Sequence, residues 1–153
     1  IEESDNAITL FEKLSYLGAE AMVEALGLLS RGELPSLPQN DALATHAAQL
    51  EKDDGRIRWG ETAKQISDRF RGVIAYPGSW TTFKGDVLKV HDSAIQNVNG
   101  SAGKILSISK EGVLVGAGEN AILLKTVQPA SKPRMSANDW ANGYRVSIGN
   151  IVE

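Results

Sequence analysis

The chain contains no cysteine. Disulfides, thiolate metal sites and cysteine nucleophiles are thereby excluded, and the count fits a reducing compartment. Histidine is almost as scarce: only His46 and His91 occur, 45 positions apart, so a zinc site would need unusual carboxylate help. No apolar run approaches the roughly 20 residues that span a bilayer, and no membrane association is expected. The first residues, Ile1-Glu2-Glu3-Ser4-Asp5, are acidic and lack the basic and apolar regions of a signal peptide. An initiator Met is also missing, which points to a piece of a longer protein. Internal repeats and low-complexity tracts are absent.

The usual catalytic constellations are missing as well. No serine stands in a nucleophile-elbow setting, and acids are too thin after residue 54 for a paired-carboxylate site. Gly116-Ala117-Gly118-Glu119-Asn120 lacks the third glycine and following helix of a nucleotide loop, and reads as a hairpin turn. His91 and Asp92 are neighbours on a predicted strand, where side chains alternate between faces. His91 therefore reads as a surface or barrel-lip residue rather than a general base.

What the chain does have is an ordinary globular composition, 42% hydrophobic and 23% charged over 153 residues, with enough apolar surface for a core. The net charge of −3 conceals an asymmetry. Residues 1–54 hold eleven acids against three bases, a balance of −8, and residues 55–153 hold eight acids against thirteen bases, a balance of +5. The second segment is thus the one suited to an anionic partner.

Thr9-Leu10-Phe11-Glu12 has the spacing of a capping box. Leu10, Leu14, Leu17, Ala21, Ala25 and Leu28 then recur at steps of three and four, predicting one amphipathic helix to about Ser30 that Arg31-Gly32 stops. Leu34–Asp41, with two prolines, reads as extended linker, and Ala42–Gln49 as a turn or two of helix. Ala63, Ile66 and Phe70 predict a short helix over 61–71, which Pro77-Gly78 follows. Beyond it the period shifts toward two. Five strands are predicted at Ser79–Phe83, Val87–Ile95, Ile105–Ile108, Gly112–Val115 and Ala121–Val127, with glycine-rich turns between them. A final short helix begins at Ser136 and ends at Gly143. The fold class is mainly β with flanking helices, and a closed five-stranded barrel of OB type is the economical arrangement, because closure removes exposed edges.

The bases after residue 54 are scattered, and only folding can gather them. Lys84, Lys89, Lys104, Lys132 and Arg134 are the candidates for a phosphate-facing surface, because they fall at turns and strand ends. Trp59, Trp80 and Trp140 could stack on bases, but all three sit beside apolar or turn positions and read as packing residues.

Three stretches resemble the C-terminal region of the methionyl-tRNA formyltransferase family. Gly55-Arg56-Ile57-Arg58-Trp59 is similar to its "ARIDW" stretch, and Arg71-Gly72-Val73-Ile74-Ala75-Tyr76-Pro77-Gly78-Ser79-Trp80 to its "IRAFNPWPGAW" stretch. Lys132-Pro133-Arg134-Met135-Ser136-Ala137 is similar to its "KKPMSA" tail. Arg58 stands where an Asp is usual, Ala75-Tyr76 replaces the common pair before Pro-Gly, and Arg134 interrupts the Lys/Pro order. The resemblance implies that residues 1–32 end a Rossmann-like catalytic domain, 33–54 form a linker, and 55–153 form an OB-like tRNA-binding domain. It implies a parent enzyme, cytoplasmic and monomeric, that formylates methionyl initiator tRNA in translation initiation, with 10-formyltetrahydrofolate as co-substrate. The family's catalytic Asn, His and Asp belong to "NxHxSLLP" and "LDTG" patterns, neither of which occurs here. The chain alone is therefore expected to be inactive, binding no cofactor or metal, with its own N-terminal catalytic domain and the initiator tRNA as partners. The rivals are the related domain of another 10-formyltetrahydrofolate-dependent formyltransferase or hydrolase, and a free-standing OB module that binds nucleic acid.

Overall fold

A computed structural model describes all residues, 1–153. Internal contacts divide the chain into two units, Ile1–Gln49 and Leu50–Glu153.

The first unit is dominated by α1, Ala7–Ser30. Its cap is Asn6 rather than Thr9. The Asn6 side chain accepts from the Ile8 and Thr9 amides, while the Thr9 hydroxyl accepts from the Asn6 amide at 3.0 Å. Asn6-x-x-Thr9 thus closes the reciprocal pair one turn ahead of the pattern at Thr9-x-x-Glu12. Asp5 reinforces this end. It accepts from the Glu2 amide and from Lys13 Nζ, both at 2.8 Å, and Lys13 holds its carboxyl below the ordinary range. No residue of α1 is buried, and Phe11, Leu14 and Leu17 are exposed within the chain. The helix expected over Ala42–Gln49 shrinks to one 3-10 turn, Asp41–Leu43, on an Asn40 cap. Eight residues with no partner for an apolar face cannot offset the cost of helix nucleation.

In the second unit a 3-10 turn, Lys52–Gly55, leads into a short extended stretch in which the Ile57 amide donates to the Trp80 carbonyl at 2.8 Å. Helix α2, Ala63–Val73, follows. Thr62 caps it, with Gln65 reciprocating, and it buries Ala63, Ile66 and Val73. The strands are β1 Ser79–Phe83, β2 Asp86–Gln96, β3 Ile105–Ser109, β4 Gly112–Gly116, β5 Ala121–Pro129 and β6 Met135–Ser136, before α3, Ala137–Gly143. All strand pairs are antiparallel. The order is β1-β2-β5-β4-β3, with the two-residue β6 on β5.

The antiparallel sheet with flanking helices is as expected, but the strand path is open, since β1 and β3 do not pair with each other. The C-terminal residues bridge its two ends. Thr82 and Glu153 exchange backbone hydrogen bonds at 2.7 and 2.9 Å, and Val152 donates to the Gly103 carbonyl at 2.9 Å. Sheet edges are thus satisfied by a segment too short and irregular to predict as a strand.

Alternation builds the core. Leu88 and Val90 of β2, Val113 and Val115 of β4, and Ile122, Leu124 and Val127 of β5 are buried. Trp140 of α3 meets Phe83 edge-on at 5.2 Å, and Trp59 is buried with its indole N–H on Thr81 Oγ1 at 2.9 Å. Trp80 is half-buried; its N–H donates to the Lys52 carbonyl, and Arg56 lies 5.6 Å from its ring centre. All three tryptophans are packing residues.

Candidate anion-binding surface

Ion pairing separates the bases of the second unit into two classes. Those between residues 58 and 71 are engaged internally: Lys64 and Arg71 meet Asp68 at 2.6 and 2.7 Å, Arg69 meets Glu61 at 2.8 Å, and Arg58 faces Asp53 at 4.0 Å. Lys64, then Arg71, hold the Asp68 carboxyl below its ordinary range by hydrogen bonding. The bases carried by the sheet and its loops make no ion pair. Lys84, Lys89, Lys104, Lys132 and Arg134 are all exposed and belong to this second class.

The fold brings two of these five, Lys89 and Arg134, to one groove, and Lys132 lies on the same loop as Arg134. Lys89 lies on the outer face of β2, with Trp80 of β1 and Gln128 of β5 as its cross-strand neighbours. Two residues on, the register slips: Val90 pairs with Val127 but Asp92 pairs with Thr126, which leaves His91 as the extra residue of a bulge. His91 Nε2 meets Gln128 Oε1 at 2.9 Å, and Gln128 Nε2 donates to the Lys132 carbonyl at 2.9 Å. This relay ties the loop between β5 and β6, which carries Lys132 and Arg134, back onto β2. Lys89, His91 and Arg134 line one groove of about 170 Å³, closed on its other side by Phe70, Ile74, Pro77 and Gly78. No acid lines it.

The other two candidates stand apart. Lys84 opens the β1–β2 turn at φ 53°, with its ammonium 5.0 Å from the Phe83 ring centre. Five residues of strand, about 16 Å, separate it from Lys89. Lys104 forms an isolated bridge with Ile151 at the opposite side of the sheet, three strand spacings or about 14 Å across. Neither contributes to the groove. Ser79 and the Pro77-Gly78 lip are the groove residues that sequence reasoning missed, together with Gln128, which stands behind the groove on His91. His91 carried the visible signal, but its partner lies 37 residues away and only strand register reveals it.

A larger recess of about 480 Å³ lies between the 53–60 stretch and the C-terminal residues. Arg56 and Arg58 line it together with Asp53 and Glu153, so its charges oppose one another. No group of three or more His, Asp or Glu side chains converges as a metal site would require, and no helix is long and apolar enough to cross a membrane.

Comparison with known proteins is consistent across sequence and structure. A family model described as "Formyl transferase, C-terminal domain" matches residues 49–145. The methionyl-tRNA formyltransferase of Streptococcus sanguinis is 38% identical over 148 residues, which is 97% of this chain and 48% of that protein. Its counterpart in Caldicellulosiruptor saccharolyticus is 38% identical over 156 residues, 99% of this chain and 50% of that protein. The chain thus spans about half the length of these relatives. Among solved structures, a variant of HypX from Aquifex aeolicus superposes with a TM-score of 0.70 at 15% identity, over 94% of this chain and 27% of that one. HypX in complex with tetrahydrofolic acid superposes with a TM-score of 0.62 at 16% identity, over 84% and 23%. At such identities the likeness speaks for the fold.

Proposed function

The chain belongs to the family of formyl transferase C-terminal domains, and from that premise we propose that it is the tRNA-positioning part of a methionyl-tRNA formyltransferase. In this reading residues 1–32 complete the catalytic domain, 33–54 are linker, and 55–153 form an OB-like domain that docks the initiator tRNA. The parent enzyme, monomeric and cytoplasmic, moves the formyl group of 10-formyltetrahydrofolate to the amine of methionyl initiator tRNA before translation begins. The catalytic residues and the folate site belong to the catalytic domain, and this chain alone is inactive.

The observation that carries the reading is the sorting of charge. Bases around α2 are neutralised by Asp68 and Glu61, whereas Lys89, Lys132 and Arg134 are unpaired and gathered beside a groove that no acid lines. Exposed cations held on a rigid strand and a tethered loop suit phosphate contacts, which set register and orientation without reading bases. A transferase acting at one end of a large anionic substrate gains rate from such positioning, because orientation replaces an entropic search.

The test is binding of the chain to initiator tRNA at low and moderate salt, with duplex DNA as control. Salt-sensitive binding that prefers tRNA is expected. The double reversal Lys132→Glu, Arg134→Glu should weaken it by about tenfold or more and flatten the salt dependence, since fewer counterions are released. An unchanged affinity and slope in the double variant would remove these residues from the interface. Failure to bind at low salt would assign the domain to a folate-dependent relative that handles no RNA.

A further inference from the structure

We propose that the groove of Lys89 and Arg134 is a seat for a single phosphate group, and that Gln128 is the positioning residue that builds it. The proposal rests on the tRNA-docking reading for its ligand, a backbone phosphodiester, but the groove itself is argued from geometry. Three donors converge there. Lys89 and Arg134 supply charge, and neither is drawn away by an ion pair. Ser79 lines the same groove and is 5% exposed, and a serine hydroxyl there can donate to a ligand oxygen.

Gln128 decides where Arg134 stands. A carbonyl oxygen can only accept, so the Lys132 carbonyl fixes the Gln128 amide with its NH2 toward the loop and its Oε1 toward His91. His91 Nε2 must therefore carry the proton in that contact. The bulge at His91 aims the imidazole at Gln128, and together the two side chains hold the 130–134 loop against β2. Without the relay the loop keeps its ends, Pro129 of β5 and Met135 paired with Val127, but between them has only one turn, Lys132 N to Pro129 O at 3.2 Å, and a left-handed Ser131 at φ 59°. Arg134 would then sample orientations instead of facing Lys89. A surface that attracts RNA only by its net field would not depend on Gln128, which is neutral.

The whole 153-residue chain is tested with two probes. In a titration with inorganic phosphate followed by 1H–15N NMR, saturable shifts are expected at Ser79, Lys89 and His91. Gln128→Leu should weaken them about fivefold or more, the scale of losing one anchored charged contact. Lys125→Ala, which removes an exposed cation outside the groove, should leave them unchanged. Shifts spread evenly over surface lysines, or a Gln128→Leu chain that titrates like the parent, would overturn the seat. With initiator tRNA, Gln128→Leu should lower affinity about fivefold and reduce the salt slope by about one, although no charge has been removed. Parental affinity and slope in that variant would sink the seat and leave tRNA docking in place. A chain that takes phosphate in the groove yet ignores tRNA would keep the seat and end the tRNA reading.

Discussion

The bridge between the two open ends of the sheet depends on a hydrogen-bonded chain of three groups, and Thr81→Val tests it. The Trp59 indole donates to Thr81 Oγ1 at 2.9 Å, and Thr81 Oγ1 donates to the Glu153 carbonyl at 2.7 Å. Thr81 is fully buried and Trp59 nearly so. Valine has the shape of threonine, so the substitution opens no cavity; what it does is orphan a buried indole N–H. The Glu153 carbonyl is less affected, because the Thr82 amide still donates to it at 2.7 Å. An unsatisfied buried donor costs about 1–3 kcal/mol, so a loss of about 2 kcal/mol is expected. For a unit of this size that corresponds to roughly 10 °C in Tm. The assay is urea unfolding followed by far-UV circular dichroism, which does not depend on tryptophan emission. Trp59→Phe supplies the second arm. With the indole N–H gone, Thr81→Val should cost no more than about 0.5 kcal/mol, which gives a coupling energy above 1 kcal/mol. Equal costs in the two backgrounds would refute the reasoning, since the hydroxyl would then matter for something other than Trp59.

Gly103→Ala tests the same bridge from the other side. Gly103 has φ +72° and an added Cβ would lie 2.6 Å from the Val152 carbonyl oxygen, whereas Gly85, at φ +88°, has open space around it. Gly85→Ala should therefore show only the left-handed penalty of about 1–2 kcal/mol, and Gly103→Ala clearly more by denaturant midpoint; equal losses would mean that the C-terminal segment does not approach Gly103. A third prediction concerns acid. Because the Asp68 carboxyl is held below its ordinary value of 3.8 in the folded chain by Lys64 and Arg71, its contribution is fully present above that value and is lost as pH falls through the lower folded pKa. Asp68→Asn should accordingly be less stable than the parent by under about 1 kcal/mol at neutral pH, the range for solvent-screened pairs, with the gap shrinking in high salt and closing in acid; a gap that persists at low pH would assign it to another cause.

The parts of the fold that were legible from sequence are those where periodicity and turn chemistry agree. The step from Thr81 to Phe83 alternates, Lys84-Gly85 can only turn, and β1 and β2 fall where those signals place them. The same holds for α2, where Ala63, Ile66 and Phe70 share a face and Thr62 can cap. Legibility failed wherever the deciding partner is distant in sequence. Residues 149–153 carry no strand pattern, yet they satisfy both sheet ends, because β1 and Gly103 present unpaired backbone groups at the right spacing. β6 is two residues long, too short for any period. At the N-terminus two overlapping capping patterns compete, and the spacing alone does not say whether Asn6 or Thr9 leads.

The candidate site divides in the same way. Turns and strand ends expose charge, and the exposure of Lys84, Lys89, Lys104, Lys132 and Arg134 is local enough to read from sequence. Their grouping is not, since it follows from register: Lys89 meets Gln128 only because β2 pairs with β5 across the 24 residues, 97–120, that lie between the two strands. His91 shares the face of Lys89 by ordinary alternation, two positions on, while Val90 and Val127 between them remain paired in the core. Charge on this surface is thereby tied to core packing. Val90 and Val127 pair in the core, Gln128 stands beside Val127, and the loop that carries Lys132 and Arg134 is joined to β5 by Gln128 at the Lys132 carbonyl and by the pairing of Val127 with Met135. In the proposed docking of a polyanion, a single register calls for cations whose positions are set by the core rather than by their own flexible stems, and the β2–β5 pair supplies that constraint.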